Sequence, residues 1–503
     1  MSSFRFDTIA IGSGLAGLAY ALRASEWGAV CILTKAEARD ANTSYAQGGI
    51  AAAVGESDSW ELHERDTLTA GAGLCDPSAV RFLVQEAPKA ISWLQKLGAH
   101  FTVSESGSLE LGLEGGHSRN RIVHFEDRTG WEIERAVIHA VQQNPKITVL
   151  EHAFVTQLRV ENGTCSGCQC LLPDQGLVDI FANSVMLATG GCGQLYQHTT
   201  NPRVATADGI ALASAVGAEI RGMEFMQFHP TTLYHPQLRG FLITEACRGA
   251  GATLRNHLGR RFMYDYDGRL ELAPRDIVAR SIHLEMEKLK TWCVYLDLTH
   301  LNASSLKEEF PTIYERLASI GIWMEKDWIP VVPAQHYSCG GVVTSLSGET
   351  NIAGLYAAGE VAYTGVHGGN RLASNSLLEA MVFATSAADH ARNEPGKADS
   401  PVELPKRHCI AEAAAIPLRR RIQRAMMESA GIIRSNAGME RGLGELAQVR
   451  RDWGQLPAST LAPYPMETEN LLTAGEIVLQ QAMARRTNVG LHYSTDLEPN
   501  PEQ

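Results

Sequence analysis

F-D-T-I-A-I-G-S-G-L-A-G, residues 6–17, decides the fold. Its first half reads as a short apolar strand, and three glycines at the spacing G-x-G-x-x-G follow at once. Leu15, Leu18 and Leu22 then line one face of a helix, and V-C-I-L-T (residues 30–34) supplies a second strand. In that setting each glycine has a task. Gly12 makes the tight turn, Gly14 lets the backbone approach a pyrophosphate, and Gly17 lets helix pack on strand. The unit is a β-α-β dinucleotide fold. Thr34 and Lys35 stand where the second strand usually ends in an acidic residue. That disfavours ordinary NAD ribose binding there, and a cationic Lys35 suits phosphate or adenosine groups instead.

Working outward, S-V-M-L-A-T-G-G-C-G (residues 184–193) is another buried strand ending in glycines, as at the ligand crevice of an open α/β sheet. G-L-Y-A-A (residues 354–358) runs as a fourth strand into G-E-V-A-Y-T-G-V-H-G-G-N-R-L-A-S-N-S-L-L-E (residues 359–379). Glu360 sits at that strand's end, placed to accept from ribose hydroxyls. From Ser376 on, Leu377, Leu378, Met381 and Val382 recur at helical spacing. A loop carrying His367, Asn370 and Arg371 thus opens a helix whose amino end offers unpaired N–H groups. Arg371 is a forked donor suited to a carboxylate. Read plainly, the same stretch is a well-capped turn with Arg371 solvated. N-T-S-Y-A-Q-G-G-I (residues 42–50) offers amides to a flat heterocycle, or is a connector. E-G-G-H-S-R-N-R-I-V-H (residues 114–124) either brings Glu114 close to something bound or is a solvated loop.

At 503 residues the chain has room for two to four domains and an ample core. Hydrophobic content of 45% and charged content of 20% describe an ordinary globular protein. A formal net charge of −12 argues against a nucleic-acid binder with a basic surface. No apolar run approaches the roughly 18 residues of a membrane span. The N-terminus lacks a basic region followed by an apolar core, and reads as a mature cytoplasmic start. Ten irregularly spread cysteines form no disulfide framework. Cys165, Cys168 and Cys170 cluster without a second pair nearby, so no metal site is expected; they read as thiols on a surface hairpin near Asn162 and Gly163.

The texture changes near Met223, where aromatics, His, Arg and Asp collect in Q-F-H-P-T (residues 227–231), T-E-A-C-R-G (244–249), R-F-M (261–263) and A-P-R-D-I-V (273–278). It returns at P-A-Q-H-Y-S-C-G-G-V (residues 333–342). The expected division is a cofactor domain in two parts, residues 1–222 and 337–395, around an inserted capping domain, 223–336, able to hinge over a cleft. Residues 396–503 form a C-terminal helical domain. It opens with a connector containing Pro, Asp and Ser, and continues as a small bundle carrying Leu418, Ile422, Met426 and Ile433, then Leu443, Leu446 and Val449, then residues 471–483.

Taken in order, G-S-G-L-A-G, Y-A-Q-G-G-I, H-P-T, L-I-T-E-A-C-R-G, A-P-R-D-I-V, H-Y-S-C-G-G and H-G-G-N-R-L-A-S-N-S-L-L-E carry a family resemblance. From Asp7 to about Met483 the chain resembles the fumarate reductase/succinate dehydrogenase flavoprotein superfamily, and within it the aspartate-oxidising branch. This implies an α/β fold: a Rossmann-like FAD-binding domain, an inserted α+β capping domain and a C-terminal helical bundle. It implies non-covalent FAD, because Asn42 stands where covalent members carry a histidine. The implied cofactor residues are Gly12, Ser13, Gly14, Leu15, Ala16, Gly17, Lys35, Asn42, Thr43, Ser44, Ala46, Gln47, Gly48, Gly49, Val155, Gly190, Asp208, Glu360, Ser374, Ser376 and Leu377. E-G-G-H at residues 114–117 and L-A-S-N-S at 372–376 follow the aspartate-oxidising form. T-N-V-G-L-H, residues 487–492, departs from the superfamily's E-S-R-G-x-H and leaves the tail without an assigned role.

By the same resemblance, His229 with Thr244 holds one carboxylate of L-aspartate, and His336 with Arg371 holds the other. Glu114 faces the α-ammonium, which admits an amino acid and disfavours succinate. Arg275 matches the superfamily's proton-shuttling arginine, with Glu245 or Arg248 as relay. The implied reaction is oxidation of L-aspartate to iminoaspartate, with electrons passed to dioxygen, giving hydrogen peroxide, or to fumarate. It is the first step of de novo NAD biosynthesis, in the cytoplasm. Quinolinate synthase is the implied protein partner; no nucleic acid, membrane or metal is implied. The alternative is a soluble fumarate reductase or a succinate dehydrogenase flavoprotein subunit. A flavin binder without turnover is opposed by the presence of every clamp residue at once.

Overall fold

The computed structural model describes residues 3–393 and 403–498. The connector expected to open residues 396–503 lies partly outside them. Five parallel strands form the centre, in the order Leu355–Ala357, Ser184–Leu187, Thr8–Ile11, Val30–Leu33 and Ile147–Leu150. Runs such as V-C-I-L have no polar face, so both sides of the sheet must be covered. Side chains alternate along each strand and sort into two cores. Ala10, Ile32, Met186 and Tyr356 pack with the helices Leu15–Ala24 and Asn375–Ala391. Ile9, Ile11, Cys31, Leu33, Val185 and Leu187 face the opposite way, into a core shared with a second sheet and the C-terminal helices.

That second sheet runs Ser3–Arg5, Gly176–Phe181, Thr164–Leu172 and Phe154–Glu161. It corrects the reading of the cysteine cluster. Cys165, Cys168 and Cys170 lie on an interior strand, and all three are buried in the core instead of lying on a surface hairpin. The turn at Asn162 and Gly163 ends just before them. A thiol on an interior strand behaves as a small apolar group, which is why the cluster carries no ligand pattern.

Residues Met226–Leu233, Ile329–Ser338, Val294–Asp297 and Thr253–Arg255 form a separate antiparallel sheet. Phe262, Met263, Val278, Ile282, Leu296, Ile313 and Leu317 give it a core of its own. The helices Glu412–Ser429, Asn436–Gln455 and Pro463–Ala484 bring Leu418, Ile422, Met426, Leu471 and Leu479 into the same core as that face of the parallel sheet, meeting it through the helix Asp208–Ala215 and the turn Gly193–Leu195. The first of them begins five residues before Pro417, which the chain accommodates inside the helix. Among the described residues, no helix is long and apolar enough to cross a membrane.

Candidate active site

A cavity of about 2120 Å³ opens between the carboxyl ends of the parallel strands and the antiparallel sheet. All the expected site residues line it except Gly17, which lies beneath, and Arg248, which stands behind Glu245. Gly17 and Gly12 serve packing: a Cβ on Gly17 would sit 2.0 Å from the Gly12 carbonyl oxygen. Gly12 has φ +115°, and a Cβ there would lie 2.1 Å from the Ala188 oxygen. Gly14 differs, since a Cβ there would meet nothing nearer than the Thr43 Oγ1 at 3.5 Å. It faces open space at the amino end of the helix Leu15–Ala24, where Thr43 Oγ1 accepts from the Leu15 amide at 3.0 Å, the N-cap position has no side chain and the first turn has no acidic residue. A helix end of that kind attracts an anion.

The same end of the cavity fits FAD on further grounds. The buried Asn42 Oδ1, Gln47 Oε1 and Thr189 Oγ1 have no hydrogen-bond partner among the described residues. All three residues line the cavity, so a polar heterocycle there would satisfy groups otherwise left costly. Glu360 accepts from the Ser338 amide at 3.0 Å and from Asn42 Nδ2 at 2.9 Å. Burial pushes its carboxyl up to about 7. Lys35, expected to meet phosphate or adenosine groups, has its charge matched by protein. Its Nζ lies 2.7 Å from Asp208 Oδ2, 2.7 Å from Glu467 Oε1 and 2.5 Å from Thr206 Oγ1. Burial would lower this amine, and the two carboxylates outweigh it and hold it protonated. Glu467 comes from the C-terminal helical region, which nothing near Lys35 in the sequence announces.

The other end is built from buried charge. Arg275 is the first residue of the helix Arg275–Leu289, the wrong end of a helix dipole for a cation. It is held there by Glu245, whose Oε2 accepts from Arg275 Nε at 2.6 Å. Arg248 pairs with the other carboxylate oxygen of Glu245 at 3.1 Å. Burial alone would raise Glu245; the guanidiniums of Arg275 and Arg248 overcome that and hold it below the usual range. Thr244 opens the short helix Glu245–Gly249. Arg371, expected either at a ligand or in solvent, is buried, with its guanidinium 4.3 Å from the centre of the Tyr337 ring. Its Nε has no partner among the described residues. Burial and the neighbouring Arg275 lower its affinity for its proton; two buried cations so close call for an anion.

His229 and His336 stand edge to face, 5.2 Å between ring centres. His229 Nδ1 accepts from the Thr231 amide at 3.2 Å, which leaves the ring proton on Nε2. His336 Nδ1 lies 2.8 Å from Thr200 Oγ1. Burial, then the Arg275 cation, hold both imidazoles far below their ordinary range, so they are neutral donors. Glu114 is buried opposite, and its Oε2 accepts from Ser374 Oγ at 2.5 Å. Burial raises its carboxyl, with Arg275 the largest influence in the other direction. Ser374 has φ +59°, an uncommon conformation for a residue with a Cβ. Its hydroxyl also accepts from the Gly49 amide at 3.3 Å, which helps fix it there.

Sequence reading missed Gln227. Its Oε1 accepts from Arg371 Nη2 at 2.9 Å and from Arg275 Nη1 at 3.2 Å, so one carbonyl ties both guanidiniums together. Its amide is fixed in turn by Asn370 Oδ1 and the Arg371 carbonyl oxygen. The signal was present: Gln227 stands two residues before His229 on a strand, hence on the same side. The tail left unassigned by its departing motif also acquires a place. The Leu491 amide donates to the Gly369 oxygen at 2.9 Å, behind the loop that carries Arg371.

Comparison with known proteins agrees with this geometry. The family described as FAD binding domain matches residues 7–377, and that described as Fumarate reductase flavoprotein C-term matches residues 419–501. L-aspartate oxidase of Vibrio cholerae is 42% identical over 97% of this chain and 95% of its own length. The chloroplastic L-aspartate oxidase of Arabidopsis thaliana is 42% identical, over 98% of this chain and 81% of its own. Among solved structures, a quinol fumarate reductase chain of E. coli superposes with a TM-score of 0.93 at 30% identity, covering 100% of this chain and 93% of that one. Sdh1 of Mycobacterium smegmatis gives 0.83 at 30% identity, covering 99% and 90%. The chain belongs to the L-aspartate oxidases, in the FAD-binding superfamily that fumarate reductase shares.

Proposed function

We infer that this chain uses non-covalent FAD to oxidise L-aspartate to iminoaspartate, passing the electrons to dioxygen, which gives hydrogen peroxide, or to fumarate. The observation that carries the reading is a buried carboxylate, Glu114, facing two buried guanidiniums, Arg275 and Arg371, across one cavity. L-aspartate carries two carboxylates and one ammonium, and this end of the cavity has groups of matching sign. In this reading His229 and Thr244 take one carboxylate, His336 and Arg371 the other, and Glu114 the ammonium. FAD, when bound, supplies an electron-poor ring able to accept a hydride. The residues of this chain do the rest. Holding both carboxylates turns an encounter into a positioned reaction and keeps water out. Neutral histidines donate to the carboxylates without adding a third and fourth cation beside the arginines. Arg275, Glu245 and Arg248 form a continuous ion-paired chain at which a substrate proton can be received and passed on. Fumarate is a four-carbon dicarboxylate that fits the same two anion contacts, which is what suits it to the role of acceptor.

The reading extends to the first step of de novo NAD biosynthesis in the cytoplasm, with quinolinate synthase taking up the unstable imine. A fumarate reductase remains the second reading, favoured by the close superposition on that enzyme. Anaerobic addition of substrate separates the two. L-aspartate is expected to bleach the flavin of the purified protein and succinate to leave it coloured; bleaching by succinate alone would reverse the assignment. Acid precipitation is expected to release the colour into the supernatant, and a pellet that stays yellow would contradict non-covalent binding.

A further inference from the structure

The E-G-G-H stretch contains more structure than the contact made by Glu114. The His117 amide donates to the Glu114 oxygen at 3.2 Å, and Gly116 has φ +86°, so residues 114–117 form a tight turn. Neither glycine has room for a side chain. A Cβ on Gly115 would lie 2.3 Å from Glu245 Oε1, and one on Gly116 would lie 2.8 Å from Leu372 Cδ1. One end of the turn is tied by the Glu114 side chain to Ser374 Oγ. The other end is tied to the preceding residue: His117 Nε2 donates to the Ala373 oxygen at 3.0 Å. A carbonyl can only accept, so the ring proton is on Nε2 and Nδ1 is free to accept. Arg121 Nη1 donates to that Nδ1 at 3.1 Å. Arg121 is itself fixed. It is fully buried, gripped through Nε and Nη2 by Asp58 at 2.8 and 2.9 Å, and through Nη1 by Asp66 at 2.6 Å. Asp66 also takes the Ser118 amide and hydroxyl.

We propose that His117 is a positioning residue for substrate selection: held as its Nε2–H tautomer by Arg121, it staples the Glu114 turn to Ala373 and so sets where the selecting carboxylate stands relative to Arg275 and Arg371. It does not line the cavity, so it acts through Glu114. The claim rests on the reading of Glu114 as the ammonium partner. It accounts for why the polar density of this stretch continues past Glu114 through His117, Ser118 and Arg121. A turn stapled at one end only can swing, and a displacement on the order of 1 Å is enough to weaken a charge contact severely.

The test compares His117→Leu, His117→Gln and Glu114→Gln in the FAD-loaded enzyme. His117→Leu is expected to lower kcat/KM for L-aspartate by about tenfold. Fumarate reduction, driven by a reduced dye, should change by less than about twofold, as should succinate binding read from the flavin spectrum, because neither ligand has an amine. Gln can reach the Ala373 carbonyl with its amide and should restore most of the loss. Adding His117→Leu to Glu114→Gln should have almost no further effect on L-aspartate, since the group it positions is already neutralised. Equal losses for L-aspartate and fumarate in His117→Leu, or additive losses in the double variant, would overturn the proposal. If Glu114→Gln discriminates between the two ligands and His117→Leu does not, the His117 assignment falls alone. If Glu114→Gln fails to discriminate, the ammonium reading falls and takes this one with it. Should the leucine variant lose FAD, His117→Asn, too short to reach Ala373, replaces it in the same comparison.

Discussion

The two ends of the cavity solve opposite problems with opposite materials. Where FAD fits, the wall is glycine and main-chain amide, a helix end, and acidic side chains whose charge is either matched, as at Asp208, or suppressed. Glu360 is pushed up to about 7, and Glu134, behind the loop at Ser44, to about 8. Where the substrate fits, the wall is charged side chains held in fixed array: Arg275, Arg371, Glu245 and Glu114, with Arg248 paired to Glu245 from behind and Gln227 linking the first two. A large, partly apolar ligand is recognised by shape and by amides that need no counter-ion. A small dianion with one cation is recognised by charge, and charge held out of water must be fixed by its neighbours even where, as at Arg371, the counter-charge comes with the ligand.

The contrast is broken most directly at Arg371. Arg371→Leu removes a buried cation whose position is set by Gln227, Ser376 and the Tyr337 ring. Truncating a buried charge contact costs several kcal/mol, so kcat/KM for L-aspartate should fall on the order of 10³-fold. FAD content should stay near that of the parent protein, because the cofactor end does not depend on this charge. Steady-state rates and the ratio of flavin to protein absorbance check both halves. A variant that keeps its rate, or loses its flavin together with its rate, would erase the division between the two ends.

A smaller effect distinguishes two glycines inside the cofactor end. Gly12→Ala forces a Cβ against the Ala188 carbonyl in a left-handed conformation, and should leave little folded protein. Gly14→Ala meets no atom within 3.4 Å at φ −70°. It should fold with an unchanged apoprotein melting temperature while weakening FAD by about tenfold, because its methyl enters the space open to a pyrophosphate. Cofactor titration by fluorescence quenching measures the second. Equal damage from both substitutions would mean that Gly14, like Gly12, serves only packing.

The difference between the two ends also explains what could be read before any coordinates. The G-x-G-x-x-G turn, the strands that precede it and follow it, and the loop at residues 359–379 are local patterns, fixed by spacing within about twenty residues. The charged end is assembled from segments far apart, and single residues from each decide it. Glu114, Arg275 and Arg371 were reachable through motif order. Gln227 stood within a quoted motif, yet its link to two arginines depends on the meeting of residues 227, 275 and 371. The pairing of Lys35 with Glu467 and of His336 with Thr200 is of the same kind. Cys165, Cys168 and Cys170 failed for a related reason: a turn was read correctly at Asn162 and Gly163, and the burial of the strand after it depends on the distant elements that cover it.

The smallest effect concerns the suppressed charge at the cofactor end. Glu134 is buried under the loop at Ser44, whose hydroxyl donates to it, and its other oxygen has no partner among the described residues. Burial is the main cause that lifts its carboxyl from 4.5 to about 8, so the folded chain keeps it protonated at neutral pH. In the unfolded chain the same group ionises above its ordinary value. Between the two values the unfolded state binds fewer protons than the folded state, so stability falls as pH rises through this window and levels off above about 8. The contribution is at most about 1.4 kcal/mol per pH unit. Glu134→Gln keeps an acceptor for Ser44 and cannot ionise. Melting temperatures taken at intervals from pH 5 to pH 8 should decline for the parent protein and decline less for the variant, with the gap widening as pH rises. Parallel curves would mean that Glu134 is already ionised when folded, and that the cofactor end, like the substrate end, holds a buried charge.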